Sequence, residues 1–344
     1  MKTSTSSYLL PPVACERLDA LLARFGGRYL DSKNVEVDSG ATSAANRVAQ
    51  LPGGRVFGSG TVLAPDGSAV AIDVSTDFGG PADSHWLLGY TQIRPPVRIA
   101  GATAVVAVNL GTRYCHWLLE ELPRLLALER SVGTGIIVSQ RAPFIREAFE
   151  LGRFSGPILA VGRHTHFECE QLLIPPLTGR AGDPSPIGVK RVHEFTEPWR
   201  GTASVIGEKI YVSRENAGRR RVLNDAELWP QLEARGFTKL RLEELSWRDQ
   251  INAFAHARAV VAPHGAGLAN LVFSPAGTRV VEFFHRAYVN PCFGRLAELK
   301  NLDYHAVIPA GTDAIRHEPR GNRLDLHAEV PAILAALRKK TSRL

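Results

Sequence analysis

Cysteine is scarce in this chain. Its four thiols, Cys15, Cys115, Cys169 and Cys292, are scattered over 344 residues with no Cys-x-x-Cys pair. Such spacing argues against a zinc site and against a disulfide framework, and it fits a reducing compartment. Long apolar runs are missing as well. No stretch approaches the roughly 18–20 residues that cross a bilayer. Residues 1–10 hold one lysine and a short apolar patch but no small-residue cleavage site, so no secretory leader is expected. No Asp-x-Asp occurs anywhere, which removes the usual carboxylate clamp for a divalent ion on a diphosphate. A metal-independent protein without a cofactor is therefore expected. Internal repeats, low-complexity tracts and aromatic–basic interleaving are absent too, and nucleic acid is not an expected partner.

What is present is globular in proportion: 44% apolar and 22% charged residues, in a length that suits two domains. The net charge of +7 favours an anionic partner, and a phosphorylated small molecule is the economical one, although a basic surface also serves solubility alone. The expected location is cytoplasmic, with peripheral association at the inner membrane left open by the charge.

Residues 1–100 read as a β-rich N-terminal region, with Pro65-Asp66-Gly67 as a hairpin turn between residues 60–63 and 69–74. Strands at 102–108, 135–139 and 158–161 alternate with helices at 116–130 and 143–151, and a Pro-rich linker follows at 174–186. A second alternation has strands at 209–212, 239–242, 259–262 and 279–283, with helices at 225–235, 246–257 and 267–273. Asn224 is a candidate helix cap, and Ser246-Trp247-Arg248-Asp249 has capping-box form. The expected class is α/β: two Rossmann-like domains, 101–200 and 205–310, followed by a tail or helix at 311–344. Ligands of such sheets bind beyond the C-terminal strand ends.

Three constellations sit at such ends. The first, Pro-His-Gly-Ala-Gly-Leu-Ala-Asn at 263–270, places His264, Gly265, Ala266, Gly267, Leu268 and Asn270 between a strand and a helix. Glycine lets the backbone approach a diphosphate there, and a helix N-terminus offers free N–H groups. Glycine also serves tight turns for steric reasons alone. Asn270 stands where the dinucleotide fingerprint has its third glycine, which counts against a nicotinamide enzyme. Glu282 closes the next strand and could accept ribose hydroxyls, or could be a solvated strand-end charge or an arginine's partner. The second constellation is Ser213-Arg214 with Arg219, Arg220 and Arg221, suited to phosphate oxygens or simply a solvated loop. In the third, His116, Glu120 and Arg124 share a helix face. They could hold an acid/base pair, or only an i,i+4 Glu–Arg pair beside a core histidine.

Taken together and in order, His-Trp-Leu-x-Glu-x-Leu-Pro-Arg (116–124), Ser213-Arg214 with Arg220 and Asn224, Ser246-Trp247 with Gln250, and the 263–270 turn with Pro275, Gly277 and Glu282 resemble glycosyltransferase family 61 over roughly residues 100–305. The resemblance implies a GT-B fold: two Rossmann-like domains facing across a cleft, the C-terminal one holding a nucleotide-sugar donor. It also implies inverting transfer to a hydroxyl of a glycan, lipid-linked or other acceptor, in capsular or exopolysaccharide assembly for bacterial members. It places the catalytic carboxylate on Glu120; His116 is then expected to orient that carboxylate or the acceptor. Arg214, Arg220, His264, the 265–268 backbone, Asn270 and Glu282 then form the donor site. Two positions depart from the pattern: Arg113 replaces a common Asn, and Asp225 a usual Glu. A non-catalytic nucleotide-sugar-binding subunit and a nicotinamide oxidoreductase are the alternatives.

Overall fold

The computed structural model describes residues 8–30, 47–75, 81–128, 134–204, 206–310 and 321–338. The chain divides into two compact units, 1–192 and 193–344.

In the first unit one mixed sheet carries most of the backbone pairing. Ile158–Ala160, Gly135–Val138, Val97–Val105 and His166–Ile174 lie side by side and parallel. Arg55–Phe57 then pairs antiparallel with His166–Ile174 and leads into Thr61–Leu63 and Ala69–Ala71. Most of the described β-rich N-terminal segment is thus continuous with the α/β layer, while Tyr8–Leu9 and Gln92–Ile93 pair in a separate two-stranded sheet. Pro65-Asp66-Gly67 makes the expected turn, with Gly67 at φ +78° and the Ser68 amide donating to Asp66 Oδ1 (2.9 Å). The core beneath contains Leu21, Leu51, Val62, Val105, Ile137 and Leu172. The strand His166–Ile174 has no counterpart in the sequence-based expectation, and its last residue, Ile174, is the first of the Pro-rich linker expected at 174–186.

The second unit is the doubly wound sheet that its alternation predicts. Five parallel strands run in the order Thr238–Leu240, Lys209–Val212, Ala259–Pro263, Arg279–Phe283, Asp303–Val307. In chain order this is 2-1-3-4-5, so the winding reverses between Lys209–Val212 and Ala259–Pro263. The crevice at the C-terminal ends of those two strands is where such sheets take ligands. Ser246 caps Trp247–Ala255 as expected, its side chain accepting from the Asp249 amide. Asn224 does not cap with its side chain. It reaches instead to the Ala328 carbonyl (3.0 Å) and accepts from the Ala328 amide (2.8 Å), tying the helix Asp225–Glu233 to the C-terminal segment. That segment ends in the helix Val330–Arg338, whose Ile333 is fully buried in the core with Val261, Val281 and Phe283.

Candidate functional site

In the first unit the His116 helix is irregular. Tyr114–His116 and Leu122–Leu125 are α-helical, and Trp117–Glu121 between them is a π-helical turn. Pro123 explains the widening, because its ring removes an N–H and crowds the carbonyl four residues earlier. His116 Nδ1 lies 2.6 Å from Glu120 Oε1, and the Gly182 amide donates to the same oxygen at 3.0 Å. Both bonds fall on Oε1 of a carboxylate that is largely but not wholly buried. Glu120 lines a small cavity with Ser59, Trp86, Asn109 and Thr178.

Arg124 does not continue this face as a partner of Glu120. Its guanidinium is buried and donates to the carbonyls of Ala107 (2.9 Å), Val106 (3.3 Å) and Pro175 (3.0 Å), pinning two strand ends. Burial lowers its pKa to about 10, with the Glu121 charge opposing, so it stays cationic. Arg113 is exposed at the helix entry.

Glu121 was not singled out from sequence, because it reads as an ordinary surface carboxylate. It is fully buried. Its Oε1 accepts from the Ser139 amide (3.1 Å), while Oε2 faces Gly111, where a Cβ would come within 2.5 Å of it. Burial lifts its pKa to about 7 against the bonds from Ser139 and the charge of Arg124. A carboxyl raised above its unfolded value of 4.5 holds its proton more tightly when folded. Its stabilisation is therefore complete below about pH 4.5 and fades as pH rises to about 7, by roughly 3 kcal/mol in all. Glu121→Gln should remove most of that fall. Melting temperatures taken from pH 5 to pH 8 check it, and curves for variant and parent that run parallel would refute the assignment.

In the second unit the three expected donor-site segments converge at the switch point of the sheet. Arg214 follows Lys209–Val212, and its guanidinium donates to the carbonyls of Arg219 (2.9 Å) and Arg220 (3.2 Å). It lies directly against the next loop: a Cβ on Gly265 would sit 2.6 Å from Arg214 Nη1. Gly265 is extended (φ 178°), so the glycine answers to the arginine and not to backbone conformation. Burial, then the charges of Arg220 and Arg219, lower the Arg214 pKa to about 10, which leaves it charged at neutral pH. Arg220 stands over the Tyr288 ring at 5.7 Å, and Tyr288 meets the His264 ring edge-to-face at 5.3 Å. Arg221 is engaged elsewhere, in an ion pair with Asp325 (2.7 Å).

Several members of the 263–270 turn are engaged within the protein itself. Ala266–Phe273 is a 3₁₀ helix, and the Leu268 amide already donates to the Gly265 carbonyl (3.0 Å). This leaves the amides of Ala266 and Gly267 as the helix-start donors. The Leu268 side chain is core. Gly267 serves packing, since a Cβ there would meet Leu242 Cδ1 at 2.7 Å. Asn270 is fully buried and donates to Gln250 Oε1 (2.9 Å), while Gln250 donates to the Leu242 carbonyl (2.9 Å). Asn270 thereby locks the turn to the helix Trp247–Ala255.

Glu282, read from sequence as a ribose acceptor, a solvated strand-end charge or an arginine's partner, does not face solvent. It is fully buried, with Oε1 at 2.5 Å from His264 Nδ1 and Oε2 accepting from Tyr304 OH at 2.6 Å. Its partners lie 18 and 22 residues away in sequence, on other elements. With both oxygens engaged, it fixes the His264 ring, which also stacks on Phe284 (5.3 Å), and leaves Nε2 as the ring's other polar atom. Tyr288, Tyr304 and Phe284 carried no sequence signal; they are ordinary aromatic positions until the sheet brings them to His264. Asp225, one of the two departures from the resembled pattern, accepts from Tyr211 OH (2.5 Å) and Lys239 Nζ (2.6 Å).

Residues 114–281 match the family model described as Glycosyltransferase 61. A rice (Oryza sativa subsp. japonica) protein, beta-1,2-xylosyltransferase RCN11, is 34% identical over 70 residues, covering 20% of this chain and 13% of its own length. A beta-1,2-xylosyltransferase of Arabidopsis thaliana is 29% identical over 107 residues, covering 27% of this chain and 20% of its own. The chain thus spans one fifth or less of the length of these curated relatives. The family match runs from the His116 helix through the 263–270 turn, and over that stretch the chain is similar to glycosyltransferases of family 61.

Proposed function

We propose that the chain is an inverting, metal-independent glycosyltransferase of the GT-B kind, moving a sugar from a nucleotide-sugar donor to a hydroxyl of a glycan acceptor in polysaccharide biosynthesis. The observation that carries the donor half is the approach of the Arg214 guanidinium to Gly265 at the switch point of the second unit's parallel sheet. A fixed, charged guanidinium beside the Ala266 and Gly267 amides offers the donor set that a diphosphate needs. The names of the plant relatives make a pentosyl donor, xylose first, the one to test earliest.

In this reading Glu120 takes the proton from the acceptor hydroxyl through Oε2, while His116 and the Gly182 amide hold Oε1. The hydroxyl oxygen forms its bond to the anomeric carbon as the bond to the diphosphate oxygen breaks, in one displacement with oxocarbenium-like character. The leaving group gains negative charge, which Arg214, Arg220, His264 and the turn amides would stabilise in this reading. Glu282 is then a positioning residue for His264, not a ribose ligand.

A thermal-shift screen against a panel of nucleotide sugars tests the reading, since a ligand at 100 times its Kd adds about 2.7 kcal/mol of stability. Silence across the panel, with no donor hydrolysed, would refute it. Bound donor without hydrolysis or transfer would favour a non-catalytic binding subunit. Donor binding and transfer are also expected to survive EDTA, because arginines and amides replace a metal clamp; activity abolished by EDTA and restored by Mn²⁺ or Mg²⁺ would overturn that.

A further inference from the structure

The first unit contains a second, larger cavity, of about 500 Å³, at the C-terminal ends of its parallel strands. This lies within the roughly 300–1,000 Å³ of small-molecule sites. Its walls come from three strand ends: the 108–112 loop after Val97–Val105, Ser139 after Gly135–Val138, and 161–163 after Ile158–Ala160. The N-terminal segment closes it with Gly58-Ser59, Trp86 and Tyr90. Four lining residues, Ser59, Trp86, Val108 and Asn109, are shared with the small cavity that holds Glu120.

The backbone around this cavity is built for close approach. Gly58 (φ +59°) and Gly60 (φ +102°) flank Ser59 in left-handed conformations. A Cβ on Gly58 would meet Trp86 at 3.0 Å, and one on Gly60 would meet the Ala107 carbonyl at 2.5 Å. Leu110 holds φ +61°, a conformation that a bulky side chain adopts only where its surroundings impose it. Trp86 is fixed by stacking on Phe57 (5.9 Å) and by an edge-to-face contact with Tyr90 (5.6 Å).

We infer that this cavity is the acceptor-sugar subsite: it binds one pyranose of the acceptor glycan, with Trp86 and Tyr90 as the aromatic wall. The inference rests on the reading of the chain as a glycosyltransferase. Aromatic faces carry negative charge density that suits the C–H-rich face of a sugar ring. Ser59, Asn109 and Thr112 supply short polar groups for its hydroxyls, and Arg163 is the one charged side chain among the described residues of the lining. Among the described residues of the lining none is a carboxylate. The walls shared with the Glu120 cavity bring an acceptor hydroxyl towards the base. The N-terminal segment, to which sequence assigned no chemistry, becomes part of the acceptor site.

Saturation-transfer NMR with methyl xyloside, glucoside, galactoside, mannoside and glucuronide tests this on the whole chain, with nucleotide-sugar melting shifts read in parallel. At least one glycoside should respond, with a signal reduced at least fivefold by Tyr90→Ala and by Trp86→Ala and partly retained by Trp86→Phe. Tyr90→Ala keeps the test sound should Trp86→Ala fail to fold, and circular dichroism monitors both. A protein whose melting shifts with a nucleotide sugar but which shows no glycoside response overturns the inference alone, as does a response that folded Tyr90→Ala leaves undiminished. A protein that responds to neither ligand class overturns the glycosyltransferase reading as well.

Discussion

Glu120→Gln is expected to bind nucleotide sugars as the parent chain does and to transfer sugar roughly 10²–10⁴-fold more slowly, the usual worth of a general base. The amide keeps the size of the carboxylate and an oxygen able to accept from the Gly182 amide, so the local fold is retained. What it loses is the capacity to take a proton. The His116 contact sharpens the test. His116 Nδ1 sits 2.6 Å from the carboxylate, and as an N–H donor it fixes one oxygen and leaves the other to react. His116→Ala should therefore weaken transfer without abolishing it, by disordering the base. Single-turnover rates at saturating donor, with donor affinity from thermal shift, separate the two effects. Near-parental transfer by Glu120→Gln would end the assignment and direct attention to other proton acceptors.

The second large effect is expected at a residue with no reactive atom. Gly265→Ala places a methyl group where the Arg214 guanidinium now lies, 2.6 Å from Nη1. The backbone at Gly265 is extended and accepts alanine, and the atom that must yield is the tip of a long side chain. Stability should therefore change little, while the guanidinium leaves its carbonyl cradle on Arg219 and Arg220. Losing one preorganised donor to a developing oxyanion costs about 10²–10³ in kcat. Gly265→Ala and Arg214→Ala should each show a loss of that order. The double variant should lose no more than either alone, because both remove the same interaction. Additive losses would mean that Gly265 acts independently of Arg214, and a parental rate for Gly265→Ala would remove Arg214 from the donor site.

The second unit was legible because its signals are local. Short apolar runs of 4–5 residues between helical stretches can bury both faces only as parallel strands, and Lys209–Val212 and Arg279–Phe283 fall where that pattern puts them. The Ser246 cap was legible for the same reason, its partner being three residues away. His166–Ile174 was not legible. Glu168 and Glu170 make it read as polar surface; in the sheet Glu168 pairs with Arg55 (3.3 Å) and Arg98 (3.1 Å) from its two neighbours, while Cys169, Leu172 and Ile174 of the same strand are buried in the core.

The candidate site divides in the same way. His116 with Glu120, and Arg214 with the 263–270 turn, were found from sequence because one helix turn or one strand-to-helix loop is enough to propose them. What each side chain faces was decided by contacts between segments far apart in the chain. Arg124 turned from its helical neighbour to strand-end carbonyls. Glu282 became a buried bridge between His264 and Tyr304 instead of a ribose acceptor or a solvated charge. Glu121 was enclosed against Gly111 and Ser139. A charged group leaves water only where other elements supply its partners, and those partners are chosen by how the sheets close, not by the residues beside it in the chain. The sequence by itself thus determined the parallel sheet of the second unit and which residue types stand at its strand ends; which of those side chains stay open there and which are buried holding the others in place was left to the tertiary structure.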